Sequence, residues 1–289
     1  PALYALKICV FLFGLGGGAI NGATSALVSD ISGDSKGANL SILGVFFAVG
    51  ALGMPFILAI LEDHLSFATI LLVVGSASFF IGIIYLLLKF PTAKQVGGLS
   101  LSRSASLLKE PFLLWVAFFL FFQSAFEGII ENWTTSYLRE RLHFASASAK
   151  YVLSFFVAGM AVMRLLLASV FKTSPPQKIW MTSFALLFGG PFILLFARTF
   201  YPVLVGFVAI GAGLAAGFPI MLGYLGDRYH ELSGTAFSIA FTIALAGNIL
   251  INYLMGYVAQ HFGIQNLLLV ALAETMLMGI LCLIILRKM

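Results

Sequence analysis

The chain repeats itself at an offset of 197 residues. The repeated positions lie on a long apolar segment, the short charged loop that follows it, and the next apolar segment. The matched residues are Gly14 and Gly211, Gly16 and Gly213, Asp30 and Asp227, Gly37 and Gly234, Ser41 and Ser238, and Gly50 and Gly247. This pattern predicts two copies of one structural unit, each built from several apolar segments.

The apolar segments are long enough to cross a bilayer as helices. Of the 289 residues, 61% are hydrophobic and only 9% are charged. A bilayer core needs about 20 apolar residues per helix, and its lack of water favours helices because they satisfy their own backbone groups. We predict an all-α polytopic membrane protein with nine spans: 3–28, 37–61, 67–90, 111–138, 146–171, 179–197, 202–226, 233–259 and 265–286.

The charged residues indicate the orientation of the chain in the membrane. The net charge is +5, but the basic residues lie between apolar segments, so we expect no nucleic-acid partner. With alternating loops, ten Lys and Arg lie on the side of the carboxy terminus and five on the other. This predicts a cell-membrane protein whose carboxy terminus is cytoplasmic. The four histidines lack a metal-ligand spacing, and we expect neither metal nor cofactor.

The offset spans six helices, so each complete unit should contain six. Residues 1–90 would form the last three helices of an amino-terminal bundle, 91–110 a cytoplasmic linker, and 111–289 a six-helix carboxy-terminal bundle. On this reading about 100 residues are missing upstream, and the chain alone should show no saturable uptake. Parallel six-helix repeats about an axis along the membrane normal are one layout of secondary transporters.

The repeat also carries a family resemblance. The segment from Gly14 to Asn21, followed by Asp30 and by Lys36 with Gly37, resembles the fourth helix, loop and fifth helix of the major facilitator superfamily (MFS). Gly211, Gly217, Pro219, Asp227 and Gly234 resemble the same place in its second half. The chain thus resembles helices four to twelve of such a transporter. The resemblance implies alternating access, a small-molecule substrate and a monomer in the lipid bilayer.

Within that family, one branch is similar to this chain. Phe126, Glu127, Gly128 and Trp133, with Gly159-Met160 and Arg164, are similar to the fucose and hexose proton symporters. That similarity implies a polar solute, such as a sugar, and protons as the coupling ion. The drug exporters carry a Gly-Pro pair in the fifth helix, whereas this chain reads Gly53-Met54-Pro55.

Polar residues on the span 111–138 are the first site candidates. Gln123, Glu127 and Glu131 are four residues apart and so form one stripe of the helix. Carboxylates within a membrane usually face a bundle interior or an aqueous cavity. We predict that Glu127 carries a proton or binds substrate, with a structural hydrogen bond as the alternative. For Glu131, a solvated position near the helix end is the alternative.

Four further residues are candidates for substrate contact. Asn248 and Asn252 form a pair at helical spacing whose amides suit sugar hydroxyls, although such amides also join helices. Asn21 lies on a helix that lines the cavity in the resembling family. Trp133 could stack on a sugar ring or anchor the helix at the interface.

Four charged residues are candidates for gating or structural roles. Arg164 is predicted to pair with Asp227 or Glu231 in one access state, or else to extend to the membrane interface. Asp30 is the repeat equivalent of Asp227, but its expected partner lies outside this chain. Glu274 is expected to serve helix packing or to contact a lipid headgroup.

Three functions therefore remain open. The first is a proton-coupled symporter of a small polar solute that works by alternating access. The second is an exporter of drug-like or cationic compounds, in which Glu127 would pair with the cation. The third is a non-transporting membrane receptor. No nucleophile elbow or paired-aspartate motif supports an enzyme.

Overall fold

The computed structural model describes residues 2–61, 65–91, 106–171 and 173–288. Over these residues the chain is α-helical without strands, so the predicted fold class is confirmed. We number the helices in chain order: α1 (Ala2–Ile31), α2 (Lys36–Leu61), α3 (Phe67–Leu87), α4 (Pro111–Leu142), α5 (Ser146–Ala168), α6 (Pro176–Phe196), α7 (Phe200–Leu214), α8 (Gly217–Arg228), α9 (Ser233–Phe262) and α10 (Leu267–Leu286).

Most of these helices are long and apolar enough to span a membrane. Eight such spans are found in the described part of the chain, and α7 and α8 together count as one of them. The 26-residue helix α2 occupies the place of the remaining predicted span. The nine predicted spans thus correspond to helices in the structure, with ends that shift by a few residues.

One predicted span, 202–226, is not a single straight helix. The structure interrupts it at Ala215 and Ala216, between α7 and α8. Pro219 lies in the first turn of α8 and has no N–H to donate to Ala215. Because proline is tolerated in the first turn of a helix, the chain ends one helix and starts another along nearly the same path.

The carboxy-terminal helices pack around α4. This helix contacts α9 and α10 most extensively, and Leu113, Val116, Phe119, Phe126 and Ile129 on it are fully buried. Helices α5 and α6 both pack against α7. Three glycines of α7, Gly206, Gly211 and Gly213, allow this, because a Cβ at each would overlap backbone or side-chain atoms of α5 or α6.

The amino-terminal helices make fewer contacts. Helix α2 packs against α5 and α8, and α1 packs against α9. In the repeat, α1 corresponds to α7 with α8, and α2 corresponds to α9. The contacts α1–α9 and α2–α8 are therefore equivalent, because each joins the first helix of one repeat copy to the second helix of the other. Helix α3 is exposed along most of its length, and Ile70 is its one buried residue among those described.

The proposed linker, 91–110, falls mostly outside the described residues, which resume at 106. Leu107 is buried in the hydrophobic core, so the end of this segment is attached to the carboxy-terminal bundle. The boundaries 1–90, 91–110 and 111–289 stay predictions.

Candidate functional site

A charged cluster lies between α4, α5 and α2. Glu127 is half-buried and Glu131 is exposed on α4, while Arg164 of α5 is only 6% exposed. Arg164 interacts electrostatically with both carboxylates. Neither carboxylate forms an ion pair within 4.0 Å with Arg164, so the charges act on each other across a gap. The two carboxylates of the predicted stripe therefore face a buried cation.

Arg164 reaches across to the amino-terminal helices. Its Nη1 donates a hydrogen bond of 3.1 Å to the carbonyl oxygen of Gly44 on α2. A Cβ at Gly44 would lie 3.0 Å from Cδ and Nη1 of Arg164, so only glycine leaves this much room for the guanidinium. The Nε atom of Arg164 is buried without a hydrogen-bond partner. The cluster thus involves both repeats.

The predicted pairing of Arg164 with Asp227 or Glu231 is not formed in this structure. The guanidinium is held within the bundle by Gly44, and Asp227 pairs instead with Lys36 of α2 at 2.5 Å. Extension of Arg164 to the membrane interface is also excluded by its burial. The sequence predicts that Arg164 lies near the end of a helix, but it does not show which neighbouring helix the side chain contacts.

Gln123, a predicted ligand, is placed in a structural contact. Its side chain is fully buried and its Nε2 donates to the carbonyl oxygen of Leu214 at 2.9 Å. Leu214 is the last residue of α7, where the break frees carbonyl groups that membrane interiors do not solvate. A Cβ at Gly217 would overlap Oε1 of Gln123. Gln123 therefore stabilises the break between α7 and α8.

Asn248 and Asn252 join α9 to α4. Asn248 donates to the carbonyl oxygen of Ser124 at 2.9 Å, and Asn252 donates to the carbonyl oxygen of Asn248 at 2.9 Å. Both amides lie over Gly128, where a Cβ would come within 2.5 Å of Asn248 Nδ2. The alternative considered for these residues, interhelical hydrogen bonding, is the arrangement found.

Two residues that follow Glu131 on α4 also bond to Asn252. Asn132 donates to Oδ1 of Asn252 at 3.0 Å, and the indole N–H of Trp133 donates to the same oxygen at 3.3 Å. The ring of Trp133 lies 3.5 Å from the position of a Cβ at Gly256 on α9. Trp133 thus packs between two helices. The indole and Asn252 hold each other in place.

Two other polar candidates lie apart from these hydrogen-bonded amides. Asn21 is exposed on α1, and its side chain makes no hydrogen bond within the described part of the chain. Glu274 is 3% exposed on α10, and neither of its carboxylate oxygens has a hydrogen-bond partner there. The burial of Glu274 excludes the expected contact with a lipid headgroup in this structure.

The two repeats also meet at the loop between α1 and α2 and the loop between α8 and α9. Lys36 Nζ contacts Asp227 Oδ1 at 2.5 Å, and Ser233 Oγ donates to Asp30 Oδ1 at 2.9 Å. We call these four residues the latch. Asp30 corresponds to Asp227 and Lys36 to Ser233 at the offset of 197 residues. The two contacts therefore occupy equivalent positions, and each joins one repeat to the aspartate of the other.

Ser29 and Gly226 lie between the two halves of the latch. They too are separated by 197 residues, and a Cβ at Gly226 would overlap Oγ of Ser29. A residue that contacts its own repeat equivalent lies next to the axis that relates the repeats. Ser29 is fully buried there. The latch thus surrounds a pseudo-twofold axis, as expected for parallel repeats.

Comparison with known proteins agrees with this geometry. The family model described as Major Facilitator Superfamily matches residues 1–203 and 134–288. The chain belongs to this superfamily. Its members are multi-pass membrane transporters, and the predicted family is confirmed.

Individual members of the superfamily are distant. The uncharacterized MFS-type transporter YfkL of Bacillus subtilis (strain 168) is 22% identical over 280 residues, which cover 92% of this chain and 69% of YfkL. The structure is similar to that of the E. coli fucose:proton symporter FucP, with a TM-score of 0.79, 17% identity, and coverage of 99% of this chain and 79% of that one. A FucP structure in the outward conformation has a TM-score of 0.75 and 18% identity to this chain, with coverage of 99% of this chain and 78% of that one.

Sequence reasoning about this MFS protein missed four residues that form contacts between the repeats: Ser29, Lys36, Gly44 and Ser233. From the sequence, Lys36 enters only as part of the family resemblance, with no contact assigned to it. The repeat offers a signal, since Lys36 and Ser233 occupy equivalent positions after equivalent aspartates. For Gly44 no such signal exists, because its role depends on where Arg164 lies. In the described residues no group of three or more His, Cys, Asp or Glu is placed to hold a metal.

Proposed function

We propose that this MFS protein moves a small polar solute, in the first instance a sugar, by alternating access, and that Glu127 couples the movement to protons. The protein would work as a monomer in the cell membrane with its carboxy terminus in the cytoplasm. The observation that carries the proposal is the electrostatic cluster of Glu127, Glu131 and Arg164, in which Arg164 bonds to the opposite repeat at Gly44.

Such a cluster suits proton coupling. A carboxyl group that is partly desolvated and faces a buried cation without a direct ion pair can hold or release a proton at modest cost. Loss of the proton adds a negative charge opposite Arg164, and Arg164 bonds to the amino-terminal half. Protonation of Glu127 therefore changes the attraction between the two halves, which is the coupling that a symporter needs.

The latch supports alternating access. It joins the repeats at the end that the charge distribution predicts to be cytoplasmic, through one ion pair and one hydrogen bond. Exposed pairs of this kind contribute about 0.2–1 kcal/mol, which is small enough to be broken and re-formed during a cycle. Asp30 and Asp227 would thus hold this end closed in one access state.

The proposed substrate class rests on exposed polar residues of both repeats. Asn21 has an exposed amide on a helix of the first repeat, and Glu131 and Asn132 are exposed beyond Glu127. Amides and carboxylates suit the hydroxyl groups of a sugar as donors and acceptors. The likeness to the E. coli fucose:proton symporter in fold makes hexoses and deoxyhexoses the first solutes to test.

The test is sugar uptake into proteoliposomes by the full-length gene product, with Glu127→Gln compared with wild type. We expect Glu127→Gln to abolish accumulation driven by a proton gradient and to retain exchange of sugar between the two sides at equal concentrations. Loss of accumulation with retained exchange separates coupling from folding, because a misfolded protein loses both.

Glu274→Gln is the matched control. Both residues are carboxylates within membrane-spanning helices, but Glu274 has no electrostatic partner that corresponds to Arg164. We expect this variant to accumulate sugar as wild type does. Equal loss in both variants would contradict the assignment to Glu127.

The remaining outcomes identify the alternatives. Uptake of no sugar, together with gradient-driven efflux of a lipophilic cation, would favour the exporter. Specific binding of a sugar without flux in wild type would favour a receptor.

A further inference from the structure

A groove opens between α5 and α6 near the end of the molecule that carries the latch. Its volume is about 160 Å³. Helices α5 and α6 pack mainly against α7 rather than against each other, which leaves the groove between them. Met163, Leu167 and Ile179 line it. Val162 and Met181, beside the groove, are exposed apolar residues, so this face of the protein meets lipid.

The mouth of the groove is polar and positively charged. Lys178 lies there, exposed, in the first turn of α6, with Ser174 just before that helix. The first turn of α6 contains no acidic residue, and none of the groove-lining residues is acidic. A lysine beside the positive end of a helix dipole favours an anion. The groove thus combines an apolar interior with a mouth suited to a phosphate.

One serine lines the groove without a protein partner for its hydroxyl. Ser183 is 6% exposed, and its side chain makes no hydrogen bond to any described residue. Most buried polar groups in proteins do have a partner. Ser183 is five residues beyond Lys178 on α6, which is about 7.5 Å of helical rise. Ser183 therefore lies deeper along the helix than Lys178.

We propose that this groove binds one anionic phospholipid of the membrane leaflet at that end. Lys178 and Ser174 hold the phosphate, Ser183 donates to an ester carbonyl, and the start of one acyl chain lies between Met163 and Leu167. The predicted orientation places the groove at the cytoplasmic leaflet, whose anionic lipids attract basic residues. The site lies on the outer face of the carboxy-terminal bundle, and it does not depend on the transported solute.

The test is lipid retention. Protein in nanodiscs of equal parts phosphatidylglycerol and phosphatidylcholine is extracted in mild detergent, and the lipids still bound are counted by native mass spectrometry. For wild type we expect one retained lipid with about a fivefold preference for phosphatidylglycerol, as one lysine near an anionic surface provides. Lys178→Gln should remove this preference.

Lys150→Gln is the matched control. Lys150 is exposed at the opposite end of α5. The control should keep the preference for phosphatidylglycerol, and equal preferences in the two variants would overturn the proposal.

Ser183→Leu is a second variant, which fills the groove. It should lose the retained lipid of either kind while melting at the same temperature as wild type in detergent. Retention of the lipid in Ser183→Leu would place the lipid elsewhere and overturn the proposal. Inorganic phosphate at millimolar concentration should not displace the lipid, and displacement would show a site for free phosphate instead.

Discussion

The two halves of the latch have the same geometry and different chemistry. In one half Lys36 of the first repeat forms an ion pair with Asp227 of the second. In the other half Ser233, the equivalent of Lys36, donates a hydrogen bond to Asp30, the equivalent of Asp227. The aspartates are the same in both repeats, but their partners differ. The contact thus lies at the same place in both repeats, and the side chain at the equivalent position is charged in Lys36 and neutral in Ser233.

The difference predicts unequal roles for the two contacts. The ion pair is stabilised by attraction between opposite charges, and its strength falls with salt. The hydrogen bond of Ser233 adds no charge, and Asp30 has a further interaction besides it. We expect the closed end to be held mainly by Lys36 and Asp227. Variants at the four latch residues, compared by one measurement, would test this inequality.

Ser29 provides the measurement. It is fully buried beside Gly226 on the axis between the two contacts. A Ser29→Cys variant, made after Cys9→Ala and Cys282→Ala, would react with a membrane-impermeant maleimide only when this end opens. The labelling rate in inside-out vesicles therefore reports how often the latch is broken.

Charge reversal should have the largest effect. Asp227→Lys places two cations against each other, and like charges in contact cost several kcal/mol. We expect the labelling rate of Cys at position 29 to rise on the order of tenfold or more. The swapped double variant, Lys36→Asp with Asp227→Lys, should return the rate close to that of the parent. If the swap labels as fast as the single variant, the ion pair is not what holds this end closed.

Neutralisation should have an intermediate effect. Lys36→Met keeps the length of the side chain and removes its charge, so it removes the ion pair without opening a cavity. A loss of about 1 kcal/mol corresponds to an increase of about fivefold in the labelling rate. As the salt concentration is raised, the labelling rate of the parent should approach that of Lys36→Met, because salt screens the ion pair. A difference that stays constant up to molar salt would argue for packing by the lysine stem instead.

Much of this architecture could be predicted from sequence because it depends on periodicity and composition. The nine apolar segments, the repeat and the stripe that places Glu127 and Glu131 on one side of α4 all follow from which residues recur at which spacing. The places of Gln123, Asn248 and Asn252 could not be predicted in this way. An amide has the same pattern in sequence whether it binds a solute or a helix, and its partners are set by helix packing.

Arg164 shows the same limit for a charged residue. Its position four residues before the end of α5 fitted a pairing at the loop end, yet it turns toward the bundle. The absence of a side chain at Gly44, which is distant in sequence, makes that direction available. The break at Ala215 and Ala216 has a similar origin. Gly217 and Pro219 can be read from the sequence, but the hydrogen bond from Gln123 to the carbonyl oxygen of Leu214 depends on helix packing.

Removal of the neutral contact should have the smallest effect. Ser233→Ala removes one hydrogen bond to Asp30, which retains another interaction, so we expect the labelling rate to rise by about twofold at most, less than a typical hydrogen bond to a charged group would give. Ser238→Ala is the matched control, because the hydroxyl of Ser238 donates to the carbonyl oxygen of Gly234 within its own helix, and it should leave the rate unchanged.

The size of the Ser233→Ala effect decides between two views of the latch. An increase as large as that of Lys36→Met would mean that the two contacts contribute equally and that the pseudo-twofold geometry, rather than charge, determines the strength of the closed end. An increase near twofold that is also insensitive to salt would mean that the lysine of one repeat dominates. In that case the transporter opens at this end by breaking one ion pair, with the second contact serving to align the two repeats.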